Sequence, residues 1–226
     1  VIDIAVAGRF AATGVPVRLG CIEASVRPVE AEPELGRLLD ETAAERVAAL
    51  GEGAPSQVPA IAAARRAYKA LGKDPARYRP AAEALLRRAK QGKGIYRVNS
   101  VVDVNNVVSL ETGISIGAYD IDKLSPPVLF RPGEAGERYE GIGRGDLNLA
   151  GLPLFADADG PFGSPTSDSV RTAITADTRR LLMVLICFGE PADPDPAVAR
   201  AADLLRRFAA AEDVETAFVA NEAAAA

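Results

Sequence analysis

The sequence predicts an α+β protein, and three observations predict it. Apolar residues recur at helical spacing over 33–50, 57–71 and 80–91. Runs of β-forming residues stand at 16–27, 95–104, 114–122 and 181–188. Residues 131–168 are rich in Gly, Pro and Asp yet regularly punctuated by apolar side chains, which reads as hairpins and ordered loops. The chain has no internal repeat and no linker composition, so a single domain over 1–226 is expected.

VPVRLGCIEASV (16–27) alternates enough to read as a strand. In 33–50, Leu35, Leu38, Leu39, Val47 and Leu50 mark a helix. In 57–71, Val58, Ile61, Tyr68 and Leu71 fall near one face. Arg65 lies on that stripe, so its side chain either runs outward to water or points into a site. GKDPARYRP (72–80) is a loop: Gly72 ends one helix and Pro80 suits the first turn of the next, which Gly92 closes. IYRVNSVVDV (95–104) reads as a buried strand. Asn105 or Asn106 then caps a short helix over 106–112, and Gly113 supplies the positive φ beyond its end. ISIGAYDID resumes as a strand. One Asn thereby has a structural task, while the other Asn and Asp103 have none. LLMVLICF (181–188) is a buried strand, 195–211 a final amphipathic helix, and the Ala-rich tail 220–226 is expected to fray.

The chain has no histidine and only two cysteines. Ser-His-Asp and Cys-His catalysis and structural zinc sites are therefore excluded, and neither a metal nor a cofactor is expected. Acid–base chemistry falls to Asp, Glu, Lys, Tyr, water or the substrate. Cys21 and Cys187 sit in apolar runs and read as buried thiols of a cytoplasmic protein. The longest apolar run, 181–188, is far shorter than the roughly 20 residues that span a bilayer, so no membrane partner is expected. The N-terminal residues lack a charged n-region, which argues against a signal peptide.

Net charge is −5, but its distribution is uneven. Residues 65–97 hold eleven bases and two acids, together with Tyr68, Tyr78 and Tyr96. A basic, tyrosine-bearing segment on an otherwise acidic chain is an electrostatic footprint for phosphate; the alternative is a pair of solvated helix faces. The glycine pattern GIGRG (141–145) neither opens a helix nor has dinucleotide spacing, and reads as a tight turn. SPTSDS (164–169) reads as a turn whose Ser and Asp side chains bond their own backbone.

RVNSVVDVNNVVSLETGISIGAYDIDKL (97–124) resembles the B3/B4 editing-domain segment of the bacterial phenylalanyl-tRNA synthetase β subunit. Residues 63–93 and 139–172 resemble freestanding B3/B4 proteins, and the similarity spans about 15–190. The resemblance implies a B3/B4-like single domain, with a β-rich core of mixed sheets flanked by helices. It implies hydrolysis of mischarged aminoacyl-tRNA in trans, with tRNA rather than DNA as partner; one branch of the family clears canavanine from arginine tRNA. It fixes no oligomeric state. Asn105 and Asn106 match the synthetase's Thr-Asn pair and Ala118 its Ala. Gly117 replaces its His, and an apolar residue near Val184 replaces its Glu.

An aminoacyl ester is an activated bond whose neighbouring ribose hydroxyl can help position water, so the protein has mainly to hold the ester, exclude the wrong side chain and stabilise the oxyanion. Asp168 is the expected water-orienting base, with Thr166 and Ser167 as hydrogen-bonding neighbours. Asn105, Asn106, Gly117, Ala118, Tyr119, Asp120, Arg65 and Gly163 are the expected substrate pocket, with Gly117 and Ala118 as its floor. Its acidic lining suits a cationic, arginine-like side chain. Arg77, Arg79, Arg87, Arg88, Lys90 and Lys93 are the expected tRNA contacts. A non-catalytic tRNA-binding module and a small-molecule hydrolase are the competing functions.

Overall fold

The computed structural model describes residues 2–189 and 193–221. In chain order the elements are β1 (Ile4–Val6), α1 (Arg9–Ala12), β2 (Val17–Ser25), α2 (Pro33–Leu50), α3 (Pro59–Ala70), α4 (Ala81–Lys90), α5 (Ser100–Thr112) and β3 (Ser115–Asp120). Then come β4 (Val128–Pro132), β5 (Arg138–Gly141), β6 (Gly145–Asn148), β7 (Pro153–Asp157), β8 (Gly160–Gly163), β9 (Arg180–Phe188), α6 (Asp195–Phe208) and β10 (Glu212–Ala220).

One sheet has the order β10-β2-β9-β3 and is antiparallel throughout. A second has the order β1-β4-β7-β8, with β1 parallel to β4 and the other pairs antiparallel. β5 and β6 form a separate ribbon closed by the GIGRG turn. The α+β class expected from the sequence is therefore the class observed.

β9 shows why its sequence is apolar without alternation. Leu181, Met183 and Leu185 pack into a core shared with α2, α5 and α6, while Leu182, Val184, Ile186 and Phe188 pack into a second core shared with the mixed sheet and α3. A strand buried on both faces loses the period-2 pattern. A third, smaller cluster joins Tyr68 and Tyr139 to Leu149, Leu152 and Leu154.

Four sequence expectations are corrected. Residues 95–104 are not a strand, since α5 starts at Ser100. Its N-cap is Asn99, whose side chain accepts from the Val102 amide at 3.0 Å. Asn105 and Asn106 lie inside this helix and cap nothing. Asp103 supports the same start by accepting from the Val98 amide at 3.1 Å, which explains a carboxylate that capping by Asn105 or Asn106 left without a task. The apolar positions Val101, Val104, Val107 and Val108 follow helical spacing and are fully buried. Burial of that stripe outweighs the weak helix propensity of valine. At the far end Gly113 takes φ +76°, as expected. Finally, the sequence reading missed β10, which pairs with β2 through Ala220↔Arg18. Ala220 is thus strand rather than frayed tail, and residues 222–226 lie outside the described residues.

Candidate functional site

The expected catalytic residues lie in one loop, 164–168, between the end of β8 and a short helical turn, Val170–Thr172. Three buried phenols hold it. The Tyr68 hydroxyl bonds Thr166 Oγ1 at 2.9 Å, and Thr166 Oγ1 also reaches the Tyr78 carbonyl at 3.2 Å. The Tyr139 hydroxyl donates to the Ser167 carbonyl at 2.5 Å and lies 3.0 Å from Ser164 Oγ. The Tyr119 hydroxyl donates to Asp168 Oδ1 at 2.8 Å. Ser164 closes the loop on itself, its Oγ donating to the Ser167 carbonyl and accepting from the Thr166 and Ser167 amides. The turn expected over SPTSDS is therefore present, and the sequence reading missed the tyrosines that clamp it. Tyr68 lies about 100 positions from the loop, so only tertiary packing reveals the contact.

Asp168 has the unusual electrostatics of the site. Burial pushes its carboxyl from the ordinary 3.8 up to about 7, against the lowering effect of bonds from the Tyr119 hydroxyl and the Ser164 amide. The residue as a whole keeps some exposure. Both hydrogen bonds fall on Oδ1, and Oδ2 accepts none among the described residues. A carboxyl that titrates near neutrality, fixed through one oxygen and open at the other, has the properties a general base needs. The phenols of Tyr68, Tyr119 and Tyr139 are pushed up by burial and stay protonated as donors.

The other expected pocket residues divide. Gly117, Tyr119, Gly163 and Asp168 come together, because a side chain at either glycine would collide with the ring and hydroxyl of Tyr119. The space left by Gly117 is thus filled by the protein's own phenol. Ala118 faces the opposite core, as the next residue along a strand must, so the two do not form one floor. Asp120 bonds Thr178 at 2.9 Å, pairs with Lys123 at 3.3 Å and caps the following turn. Asn105 keeps a buried Oδ1 without a partner among the described residues. Arg65 neither runs out to water nor reaches the loop. Its guanidinium grips both oxygens of the buried Glu83, at 3.0 and 2.8 Å, and ties α3 to α4.

Of the expected tRNA contacts, Arg77, Arg87 and Lys93 are exposed. Arg79 pairs with Glu83 at 3.6 Å. Lys90 bonds the carbonyls of Gly51 and Gly53, and Arg88 those of Gly94 and Lys93. Arg88 also lies 3.7 Å over the ring of Tyr96, an exposed aromatic. Cys21 and Cys187 are buried free thiols, each pushed up to about 12 by burial. No helix among the described residues is long and apolar enough to cross a membrane.

The family model of the B3/4 domain matches residues 63–210, which takes in most of α3, all of α4 to α6, and the clamped loop. The chain belongs to the B3/4 domain family. It is similar to phenylalanine–tRNA ligase β subunits. That of Bifidobacterium longum is 29% identical over 106 residues, 43% of this chain and 12% of the relative. That of Carboxydothermus hydrogenoformans is 35% identical over 82 residues, 35% of this chain and 10% of the relative. This B3/4 chain thus spans about a tenth of the length of the curated relatives it matches. Among solved structures it is similar to an N-terminal fragment of the phenylalanyl-tRNA synthetase β subunit from Pyrococcus horikoshii. The TM-score is 0.48 and the identity 14%, covering 96% of this chain and 50% of the fragment.

Proposed function

We propose that this B3/4 protein hydrolyses the ester of mischarged aminoacyl-tRNA in trans, in the cytoplasm, with Asp168 as the base. The observation that carries the reading is the Asp168 carboxyl, poised near neutral pH and anchored by Tyr119 in a loop that three phenols make rigid. Oδ2 takes a proton from water as the water oxygen attacks the ester carbonyl. The ester C–O bond then breaks, the ribose oxygen leaves as a hydroxyl by taking that proton back from Asp168, and the amino acid departs as a carboxylic acid that loses its proton to solvent. Resemblance to the editing domain supplies the substrate class, and one branch of that family points to a cationic, arginine-like amino acid such as canavanine; Asp120, engaged by Thr178 and Lys123, is not free to pair with it.

One observation favours a second reading, a non-catalytic tRNA-binding module. Tyr119 occupies the space between Gly117 and Gly163 where the resemblance would place substrate. Single-turnover deacylation over a complete panel of aminoacyl-tRNAs, including canavanyl-tRNA, separates the two. Hydrolysis of at least one member, reduced about 100-fold or more in Asp168→Asn, is the expected result. Tight tRNA binding with no ester cleaved across the panel would leave the binding module standing. Normal rates but weaker substrate binding in Asp168→Asn would make Asp168 a recognition group.

A further inference from the structure

A cavity of about 450 Å³ opens between the first turns of α3, the end of α5 and the paired ends of β3 and β9. No residue of the clamped loop lines it, so the cavity is a place distinct from the Asp168 loop. Val58, Ile114, Ile186 and Phe188 give it an apolar wall. Most of its polar groups are already engaged. Thr112 Oγ1 donates to the Val108 carbonyl and accepts from the Ile114 amide, and Ser115 Oγ accepts from the Ala82 amide. Asp193 lies 3.6 Å from Arg18 and accepts from the Asp195 amide.

Two guanidinium groups remain, Arg46 and Arg66. Neither has an ion pair or side-chain hydrogen bond among the described residues, and Nε of Arg46 is buried with no acceptor. A buried donor left unmade costs free energy, and an anion in the cavity would remove that cost. The start of α3 adds to the positive field. Its N-cap, Val58, offers no side-chain acceptor, and the amides of Ala60 and Ile61 have no partner among the described residues. The cavity is thus of ligand size, apolar on one side and cationic on the other.

We propose that this cavity binds a small oxyanion, carboxylate or phosphate ester, carried on a short apolar body, with Arg46 as its main anchor. Guanidinium forks suit both anions, so the probes must distinguish them. The full chain would be titrated with phenylacetate, phenyl phosphate and neutral phenylacetamide, monitored by calorimetry and by amide shifts in NMR spectra. At least one anion should saturate, with shifts centred on residues 58–66 and 186–188, and bind at least about tenfold more tightly than the amide. Whichever anion binds more tightly identifies the headgroup. Arg46→Gln should weaken anion binding about tenfold or more and leave amide binding unchanged. Ala62→Leu, which narrows the cavity without touching a charge, should weaken all three probes, and it carries the test if Arg46→Gln fails to fold. Equal binding of anion and amide, wild-type affinity in both variants, no saturable binding by any probe, or shifts centred on 164–168 would each overturn the proposal.

Discussion

Because burial holds the Asp168 carboxyl near 7, the folded chain binds this proton more tightly than the unfolded chain does. The resulting stability is fully present below the unfolded value of 3.8 and is lost as pH rises through about 7. Asp168→Asn keeps an oxygen to accept from Tyr119 and from the Ser164 amide, and it carries no charge to desolvate. It should therefore raise stability at pH 8, by no more than ~4 kcal/mol and with a higher Tm, and flatten the change in Tm between pH 4 and 7. The same change should slow hydrolysis about 100-fold or more. In the wild type, hydrolysis should rise with pH through about 7. Thermal unfolding at pH 5 and 8 checks the stability outcomes, and a pH–rate profile the catalytic ones. A variant less stable than wild type at pH 8 would mean that the charge is compensated. Gly117 calls for a different expectation. Its added Cβ would meet Tyr119, whose ring is wedged against Phe155 and Phe162 at 5.7 and 4.9 Å. Gly117→Ala should cost about 1–3 kcal/mol in urea unfolding, the usual scale for overpacking. A neutral substitution would show that the ring moves. The role of the Asp168 carboxyl as a base is a proposal, but the turn that holds it was legible in the sequence, because its Ser and Asp side chains bond their own backbone locally. The filling of the Gly117 space was not, because it depends on β3 and β8 meeting across a long sequence separation.

At the scale of elements, what the sequence revealed depended on whether a pattern was local. α2, α4, β3 and β9 were legible because their apolar residues are patterned within their own spans, with Pro80 and Gly92 marking the ends of α4. The start of α5 was misread because four valines within 98–104 suggest a strand, although Asn99 and the Val101, Val104, Val108 spacing already spelled a capped helix. β10 was hidden by its acidic, exposed positions, which are normal for an edge strand covered on one side only. Asn99→Ala should cost about 1 kcal/mol through loss of the cap, measurable by chemical unfolding. The α3–α4 junction offers a sharper case. Glu83 is buried, and its main partner is Arg65. Removing one member of such a pair costs about 3–5 kcal/mol, because it strands a charge in the interior. Arg79, at 3.6 Å, moderates that cost, so Arg65→Met should fall at the lower end. The double variant Arg65→Met, Glu83→Leu should recover most of the loss. If the double variant is as unstable as the single, the packing of the arginine stem matters more than its charge.

The whole molecule carries its positive charge unevenly, and the fold sorts the bases of 65–97 into two kinds. Arg65 and Arg79 are spent on the buried Glu83, Arg97 on the exposed Asp40, and Arg88 and Lys90 on backbone carbonyls that fix the turns after α4 and α2. Arg77, Arg87 and Lys93 are exposed and form no ion pair among the described residues. The sequence could count these bases but not sort them, because a carbonyl partner leaves no mark in charge composition. The second group is therefore the better test of a tRNA surface, since substitutions in the first would loosen the fold as well. Each phosphate that a base no longer neutralises should reduce the slope of log affinity against log salt by about 0.7–0.9. Replacing Arg77, Arg87 and Lys93 together by Gln should therefore lower the slope by about 2–3 and weaken tRNA binding about tenfold or more near 0.1 M salt, with no change in Tm. The double variant Arg88→Gln, Lys90→Gln should lower the Tm, since it removes the ties to residues 51–53 and 93–94. Filter binding of unacylated tRNA over a salt series, with thermal unfolding in parallel, tests both. An unchanged slope in the triple variant would make the basic segment a solvated surface and direct the search for the tRNA contact elsewhere on the molecule.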